Sequence, residues 1–446
     1  MRLTRNAFKL FTQTQVRMLD ERISIAPMME MTDCHWRMML RGITKKTVLY
    51  TEMVVDDTVN HTDNRMLDFF IGKNIEESPS VIQLGGYNPE TLAQAAETCE
   101  QYGGGYSEIN LNCGCPSQRV AKRCFGAKLM LEPDLVREIV HSMQRRVSIP
   151  ITVKCRIGAD DQDSYAELLE FIRSASAGGA KKFIVHSRKC FLNGLSTKQN
   201  RDVPPLKYEV VHSLVKEFPE LTFVLNGGIQ TFSAAKAHLT SFDYSYSDLP
   251  VNAKSGCIDL PNRIWEGTPS LTAELPPVHG VMIGRAAFSN PLLFATADST
   301  FYGIPDPCLS RREVVARYID YCEWAQSELG PHRPSGHGPG RQSVSTSGRY
   351  NLRNIVYSHL FINVNLNRYL LIESFIQCNT TIILCHSSHD RLTALMRPMH
   401  NLMVGLQHCG KYKMALNDLY VARVQGVNGV QNPNPREIVR TCLCVI

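Results

Sequence analysis

The chain has 446 residues, 43% of them hydrophobic and 20% charged, with a formal net charge of +6. This length allows one large barrel domain and a smaller second unit, because α/β barrels run to about 250 residues. The mildly basic balance permits a polyanionic partner without requiring one, and no run approaches the ~20 apolar residues of a membrane span.

The 15 cysteines lack the spacing of the disulfide framework of a short secreted protein, and no apolar signal segment opens the chain. We therefore expect mostly reduced thiols. The first nineteen residues contain four basic residues and no acid, a composition shared by organellar targeting segments and by ragged basic N-termini. We expect a cytoplasmic or organellar protein with no membrane association and no obligate protein partner.

Eight short apolar runs predict β-strands. In chain order they are 23–26, 48–51, 80–84, 106–111, 151–154, 183–185, 222–225 and 280–283. Amphipathic stretches between them predict helices, for example 89–101, 133–145, 164–177 and 205–218. Apolar strands that alternate with helices are typical of a parallel sheet covered by helices. Eight such units predict an α/β fold of the (β/α)8 TIM barrel type.

Polar residues and glycines follow the carboxyl end of every predicted strand, whereas the amino ends show no such chemistry. In strand order they are 27–29, Glu52, Gln83 with 85–86, 110–116, Lys154 with Arg156, His186 with Arg188, 226–228 and 284–285. In a barrel the carboxyl ends converge on one face, where the active site lies. The sequence therefore predicts one active face.

The last two strand ends predict a phosphate pocket. Asn226, Gly227 and Gly228 follow the seventh strand, and Gly284 with Arg285 follows the eighth. The glycines let main-chain N–H groups approach phosphate oxygens, and arginine adds positive charge.

Three further strand ends carry candidates for ligand binding. Lys154 needs an anionic partner because an unpaired buried ammonium is costly. An electron-rich flavin ring is one candidate for that partner, and Glu52 in an ordinary ion pair is another. His186 is either a ligand contact or a hydrogen-bonded structural residue. Gln83 offers both a donor and an acceptor to the edge of a flat heteroaromatic ring.

Cys115 lies at the end of the fourth strand, in the segment Asn-Leu-Asn-Cys-Gly-Cys-Pro-Ser at 110–117. Cys113 is expected to belong to the strand and to face another way. No correctly spaced Cys or His pair completes a zinc site, so we predict no metal. A buried inert thiol is the alternative to a catalytic one.

Taken together, these segments resemble the tRNA-dihydrouridine synthase family, specifically its A branch. The resemblance covers about residues 22–300. The matching strings are 26–33, 49–53, 83–86, 108–120, 125–127, 153–158, 160–165, 186–189, 194–196, 204–206, 226–228 and 284–285.

The resemblance implies an FMN-containing barrel that reduces a D-loop uridine of tRNA, with NADPH as the electron donor. Hydride would pass from the flavin to uracil C6, and Cys115 would deliver a proton to C5 as general acid. Lys154 and Arg156 would stabilise charge on the base oxygens. The implied flavin contacts are Pro27, Met28, Met29, Gln83, Lys154 and His186, and the implied phosphate contacts are Asn226, Gly227, Gly228, Gly284 and Arg285. The implied tRNA contacts are Asn112, Lys198 and Arg201.

The resemblance also implies a helical RNA-binding domain after the barrel. We predict an N-terminal extension at 1–21, the barrel at 22–300 with an insertion at about 241–277, and helical-domain remnants at 311–330 and 391–414. Residues 331–390 interrupt that domain, as a basic RNA-binding tether, a poorly ordered insertion or non-native sequence. The tail at 415–446 stays unassigned.

Two other functions remain open at this point. A flavin barrel that reduces a free pyrimidine or another small molecule would need no RNA-binding domain. A catalytically impaired RNA-binding homologue would keep the fold and lose the chemistry.

Overall fold

The computed structural model describes residues 19–102, 104–117, 120, 124–240, 275–307, 310, 313–314, 317–318 and 320–321, with only the main chain of 64–66. The predicted segments 331–390, 391–414 and 415–446 lie outside the described residues, as do 1–18 and 241–274. The chain divides into two compact units, Met1–Glu30 with Thr47–Gly284, and Met31–Lys46 with Arg285–Ile446.

The first unit contains a closed barrel of eight parallel strands in sequential order. Its strands are β1 Ile23–Ile25, β2 Val48–Val55, β3 Ser80–Gly85, β4 Glu108–Cys113, β5 Ile151–Arg156, β6 Lys182–His186, β7 Thr222–Asn226 and β8 Gly280–Ile283. The predicted (β/α)8 fold is therefore confirmed.

The described helices follow the predicted alternation. They are α1 Cys34–Ile43, α2 Asp56–His61, α3 Asn64–Phe70, α4 Pro89–Tyr102, α5 Pro133–Arg146, α6 Tyr165–Ala177, α7 Tyr208–Glu217, α8 Phe232–Leu239, α9 Arg285–Ser289 and α10 Ala297–Tyr302. Local sequence explains where some of them begin. Ser164 and Glu167 form a capping box at α6, and Thr231 caps α8, so otherwise unpaired N–H groups are satisfied. None of the helices within the described ranges is long and apolar enough to cross a membrane.

Strand β2 differs most from its prediction. The apolar run ends at Thr51, but the strand continues to Val55. Glu52 therefore lies within β2 rather than after it. The pairing of β2 with β3 shifts register between Tyr50 and Met53, and such an irregularity re-aims side chains near the rim of a barrel.

The amino end of the barrel is filled by buried charged groups. Lys182 on β6 contacts Glu108 on β4 at 2.7 Å and Glu21 at 2.9 Å. Tyr50 on β2 donates its hydroxyl to the same Glu21 carboxylate at 3.0 Å. Because β5 lies between β4 and β6, Lys182 and Glu108 meet across the barrel interior. We name Glu21, Tyr50, Glu108 and Lys182 the basal cluster.

Burial and neighbouring charges shift the pKa values of Lys182 and Glu108 in the basal cluster. Burial alone would lower the pKa of Lys182, but the carboxylates of Glu21 and Glu108 raise it above its ordinary value. Burial raises the pKa of Glu108, although Lys182 acts in the opposite direction. Gly280 on β8 leaves room for the chain here, because a Cβ at this position would lie 1.8 Å from the main-chain oxygen of Glu21.

The second unit contains its own buried polar centre, in the carboxylate of Asp298. Thr44 donates its hydroxyl to this carboxylate at 2.8 Å, and the main-chain N–H groups of Lys45 and Lys46 donate at 2.7 and 2.9 Å. Asp298 is fully buried. These bonds compensate for taking the charge out of water.

Candidate active site

The turn that follows β4 is held by the side chain of Asn112. Its Oδ1 accepts hydrogen bonds from the main-chain N–H of Gly114 at 3.1 Å and of Cys115 at 3.0 Å. Its Nδ2 donates to Oε1 of Gln83 at 2.8 Å. Asn112 therefore fixes the Cys115 main chain from within the barrel.

Two other groups hold the same turn. The main-chain oxygen of Cys115 accepts from the N–H of Ala127 at 2.9 Å, and the oxygen of Gly114 accepts from Nε of Arg156 at 2.9 Å. Gly126 permits the first contact, because its φ is 70° and a Cβ there would lie 2.6 Å from the Cys115 oxygen. Cys115 thus sits in a turn whose main chain is restrained on both sides.

The Cys115 thiol is half-buried, and burial raises its pKa. The Ser117 N–H and the positive charges of Arg156, Lys154 and Arg201 oppose this rise without overcoming it. The thiol is consequently protonated at neutral pH, as a proton donor must be. Cys113, two residues earlier, is fully buried within β4, in agreement with its predicted place in the strand.

A row of buried amides leads from the barrel interior to this turn. Gln83 donates Nε2 to Oδ1 of Asn110 at 2.8 Å, and Asn110 donates Nδ2 to the Thr152 hydroxyl at 3.0 Å. With the bond from Asn112, both polar atoms of the Gln83 amide are engaged, and its side chain is 1% exposed. The parallel register of Gln83 with Asn110 explains this arrangement. The contact of Gln83 with a heteroaromatic ring stays a prediction.

Lys154 extends from β5 to the neighbouring part of the barrel mouth. Its Nζ donates to Oδ1 of Asn226 on β7 at 3.1 Å, and Asn226 donates Nδ2 to the Met282 oxygen at 2.8 Å. No carboxylate forms an ion pair with Lys154 in the part of the chain that the structure describes. Burial, together with the nearby charge of Arg156, lowers the pKa of Lys154 to about 8. The site therefore holds a cation that a bound anion would stabilise.

The glycine pair after β7 has the backbone of a tight turn. Gly227 and Gly228 have φ values of 121° and 69°, which side chains larger than hydrogen rarely adopt. A Cβ on Gly227 would lie 2.8 Å from Cδ2 of His186. The Tyr208 hydroxyl donates to the Gly227 oxygen at 2.8 Å. His186 and the glycine turn therefore pack directly together.

The β1 end supplies the remaining predicted contacts of the first unit. Pro27 and Met28 are half-buried, whereas Met29 is 58% exposed. A Cβ added to Gly284 would lie 3.8 Å from the Met28 sulfur, so the β1 and β8 ends adjoin. Arg285 opens the second unit as the first residue of α9, and its role at a phosphate stays a prediction.

The predicted RNA contacts after β6 lie around a short 3-10 helix, Gln199–Arg201. Lys198 is exposed and Arg201 is half-buried. Between them Asn200 is fully buried, and its side chain donates to the main-chain oxygens of Phe191, Leu195 and Ser196 and accepts from the Phe191 N–H at 2.8 Å. No sequence pattern indicates the role of Asn200, because its partners lie in an irregular loop.

The closed barrel brings the Cys115 turn, the glycine turn after β7 and Lys154, which has no carboxylate partner among the described residues, to the carboxyl ends of its strands. The chain therefore falls in the class of (β/α)8 barrel proteins. The dihydrouridine synthase (Dus) family model matches residues 24–243.

Curated relatives extend this match. Proteins named tRNA-dihydrouridine(20/20a) synthase are similar to this chain. The Synechocystis sp. protein is 40% identical over 316 residues, covering 71% of this chain and 81% of its own. Those of Pseudomonas aeruginosa and Vibrio cholerae are 42% and 40% identical over 312 residues, covering 70% of this chain and 82% of their own. The chain belongs to the dihydrouridine synthase family.

Proposed function

We propose that this protein reduces a uridine of tRNA to 5,6-dihydrouridine, with FMN as cofactor and NADPH as electron donor. The observation that carries the proposal is the half-buried Cys115 thiol, fixed on the same barrel face as Lys154 and the Gly227–Gly228 turn, in a chain of the dihydrouridine synthase family. The names of the relatives point to uridines 20 and 20a. Both positions lie in the D-loop, the part of tRNA that the resemblance implies as the site of reduction.

The residues present fit a flavin mononucleotide. Lys154, which has no carboxylate partner among the described residues, would face the electron-rich ring, and the positive-φ glycines after β7 would present N–H groups to the phosphate. When bound, the flavin supplies the hydride for C6 of the uracil. Pro27, Met28, Met29, Gln83 and His186 are proposed ring and ribityl contacts, and Asn226, Gly284 and Arg285 are proposed phosphate contacts.

Cys115 is proposed to complete the reduction by protonating C5 of the base. Its raised pKa keeps the proton on Sγ at neutral pH. Asn112, Ala127 and Arg156 fix the main chain on either side of the thiol. A donor held in place in this way needs little reorganisation when the proton is transferred.

The substrate uridine must leave its stack to reach a thiol in a barrel mouth. Lys198 and Arg201, after β6, are proposed to contact the phosphates of the tRNA, and Asn112 is proposed to contact the target nucleotide. The flavin chemistry is also compatible with a free pyrimidine as substrate.

The decisive experiment uses the full chain, unmodified tRNA, NADPH and FMN, with dihydrouridine measured by mass spectrometry of nucleosides. We expect a flavin spectrum in the purified protein and dihydrouridine in the tRNA. Turnover of free uracil or uridine with none on tRNA would contradict the proposal and favour a small-molecule reductase. A flavin-free protein that binds tRNA without turnover would instead identify an impaired homologue.

A further inference from the structure

Arg156 lies at the junction between the Cys115 turn and the loop after β6. Its Nε donates to the Gly114 oxygen at 2.9 Å. Its Nη1 donates to the main-chain oxygens of Lys189 at 3.1 Å and Asn200 at 3.0 Å. The side chain is 3% exposed. One guanidinium thus joins two loops that the chain separates by more than sixty residues.

The loop on the other side of this junction is held together by hydrogen bonds of its own. Asn200 is fully buried and holds Phe191, Leu195 and Ser196 through its side-chain amide. Lys198 and Arg201, the proposed tRNA contacts, flank Asn200 in the chain. Arg156 therefore links this loop through hydrogen bonds to Gly114, the residue before Cys115.

We propose that Arg156 is a positioning residue that fixes the spacing between the Cys115 proton donor and the loop carrying Lys198 and Arg201. This inference rests on the proposed function, since it assigns a use to that loop and that thiol. The alternative is a direct electrostatic role, in which the charge of Arg156 acts on the oxygens of the base. The three carbonyl acceptors favour positioning, because they already occupy Nε and Nη1 of the buried guanidinium.

Arg156→Lys separates the two roles. Lysine keeps the positive charge, but one ammonium nitrogen cannot occupy the separate places of Nε and Nη1. We expect kcat on tRNA to fall about 100-fold, the loss that a displacement of about 1 Å produces, while KM for tRNA changes far less. Unchanged kcat would overturn the proposal.

Alkylation of Cys115 by iodoacetamide, followed by peptide mass spectrometry, gives a readout that is independent of turnover. The midpoint of its pH profile reports the thiol pKa, and its plateau reports the accessibility of the thiol. For Arg156→Lys we expect the wild-type midpoint and a plateau rate raised severalfold. A shifted midpoint with an unchanged plateau would overturn the positioning role and leave an electrostatic one.

Two variants in the β6 loop complete the test. Asn200→Ala keeps Arg156 and releases the loop, so we expect the plateau to rise here also, and an unchanged plateau would overturn the proposal even if Arg156→Lys does not fold. Lys198→Ala is the matched control. Its exposed side chain makes none of these contacts, so KM for tRNA should rise without a change in Cys115 alkylation. A wild-type protein that forms no dihydrouridine contradicts the proposed function, while the alkylation results still decide the role of Arg156.

Discussion

The main-chain N–H of Cys115 donates to Oδ1 of Asn112, three positions earlier in the chain, at 3.0 Å. The same oxygen accepts from Gly114, so a single side chain caps the two N–H groups that follow β4. This bond connects the thiol to the row of amides in the barrel interior. The position of the proposed proton donor is therefore set by the side chain of a strand residue.

Cys115→Ala should reduce dihydrouridine formation by about 10²–10⁴-fold, the usual contribution of a general acid. Cys113→Ala is the matched control, because this neighbouring thiol is buried within β4, and its activity should stay near that of the wild type. Because burial raises the Cys115 pKa, the wild-type rate measured at saturating FMN should persist above the ordinary thiol pKa of about 8.5 and fall only at higher pH. An alanine variant with full turnover would show that another group donates the proton.

Lys154→Met should lower the flavin content of the purified protein, measured by absorbance relative to protein. The Lys154 pKa of about 8 gives a pH test. A bound anion favours the charged ammonium, so the flavin affinity of the wild type should be highest below pH 8 and decline as pH rises above it. Lys154→Met should bind flavin weakly at every pH, without this decline. Lys181→Met, at an exposed position next to the amino end of β6, should match the wild type, and equal loss in both variants would contradict the assignment.

Gly227→Ala should destabilise the fold by about 1–3 kcal/mol and release flavin, because its φ of 121° is unfavourable for alanine and a Cβ would lie 2.8 Å from His186. Gly42→Ala is the comparison. No atom lies within 4 Å of a Cβ at Gly42, and α1 is helical there, so this substitution should be neutral or stabilising by about 0.5–1 kcal/mol. Thermal unfolding with and without FMN measures both effects.

Lys182→Met should destabilise the barrel by about 3–5 kcal/mol, since Glu21 and Glu108 would keep buried charge without a cation. Adding Glu108→Gln should restore part of that loss. The exposed pair of Arg173 and Glu217, at 3.3 Å, provides the contrast, as Arg173→Met should change stability by less than about 1 kcal/mol. Equal effects on denaturant midpoints at the two sites would contradict the importance assigned to the basal cluster.

A buried histidine pair behind the glycine turn should make stability depend on pH. His212 Nδ1 donates to the Pro276 oxygen at 2.8 Å, and its Nε2 lies 3.1 Å from Nδ1 of His238. Because a carbonyl oxygen only accepts, His212 carries its proton on Nδ1 and Nε2 accepts from His238. Burial lowers the pKa of both residues, that of His238 to about 3.

The sign of this dependence follows from the lowered values. Unfolded histidine takes up a proton below about pH 6.5, whereas folded His238 stays neutral down to about pH 3 and folded His212 also resists protonation. The free energy of unfolding should therefore be constant above about pH 6.5 and fall as pH decreases below it, by up to about 1.4 kcal/mol per pH unit for each histidine that stays neutral in the folded state. Urea unfolding between pH 5 and 7 should give a smaller slope for a His212→Asn, His238→Asn double variant. An unchanged slope would contradict this account.

The sequence predicted the barrel and the position of Cys115, because strand runs and strand-end residues are local patterns. It did not predict the basal cluster, whose bonds join residues 74 and 161 positions apart. The role predicted for Arg156 at the base oxygens stays a prediction, and no sequence pattern indicated that its guanidinium contacts three main-chain oxygens of the protein itself. Such pairings depend on how distant loops return to the barrel, and a single sequence has no pattern that reports this.

The amino end of the barrel is closed by the buried side chains of Glu21, Glu108 and Lys182 and by the close approach of the chain at Gly280. The proposed reactive groups Cys115 and Lys154 lie towards the opposite, carboxyl end of the barrel strands. NADPH and tRNA would both need to reach the same proposed flavin ring, so both would approach it from this open end of the barrel. The two substrates would then bind alternately, with the first product leaving before the second substrate binds. Double-reciprocal plots of the initial rate at varied concentrations of both substrates would be parallel lines.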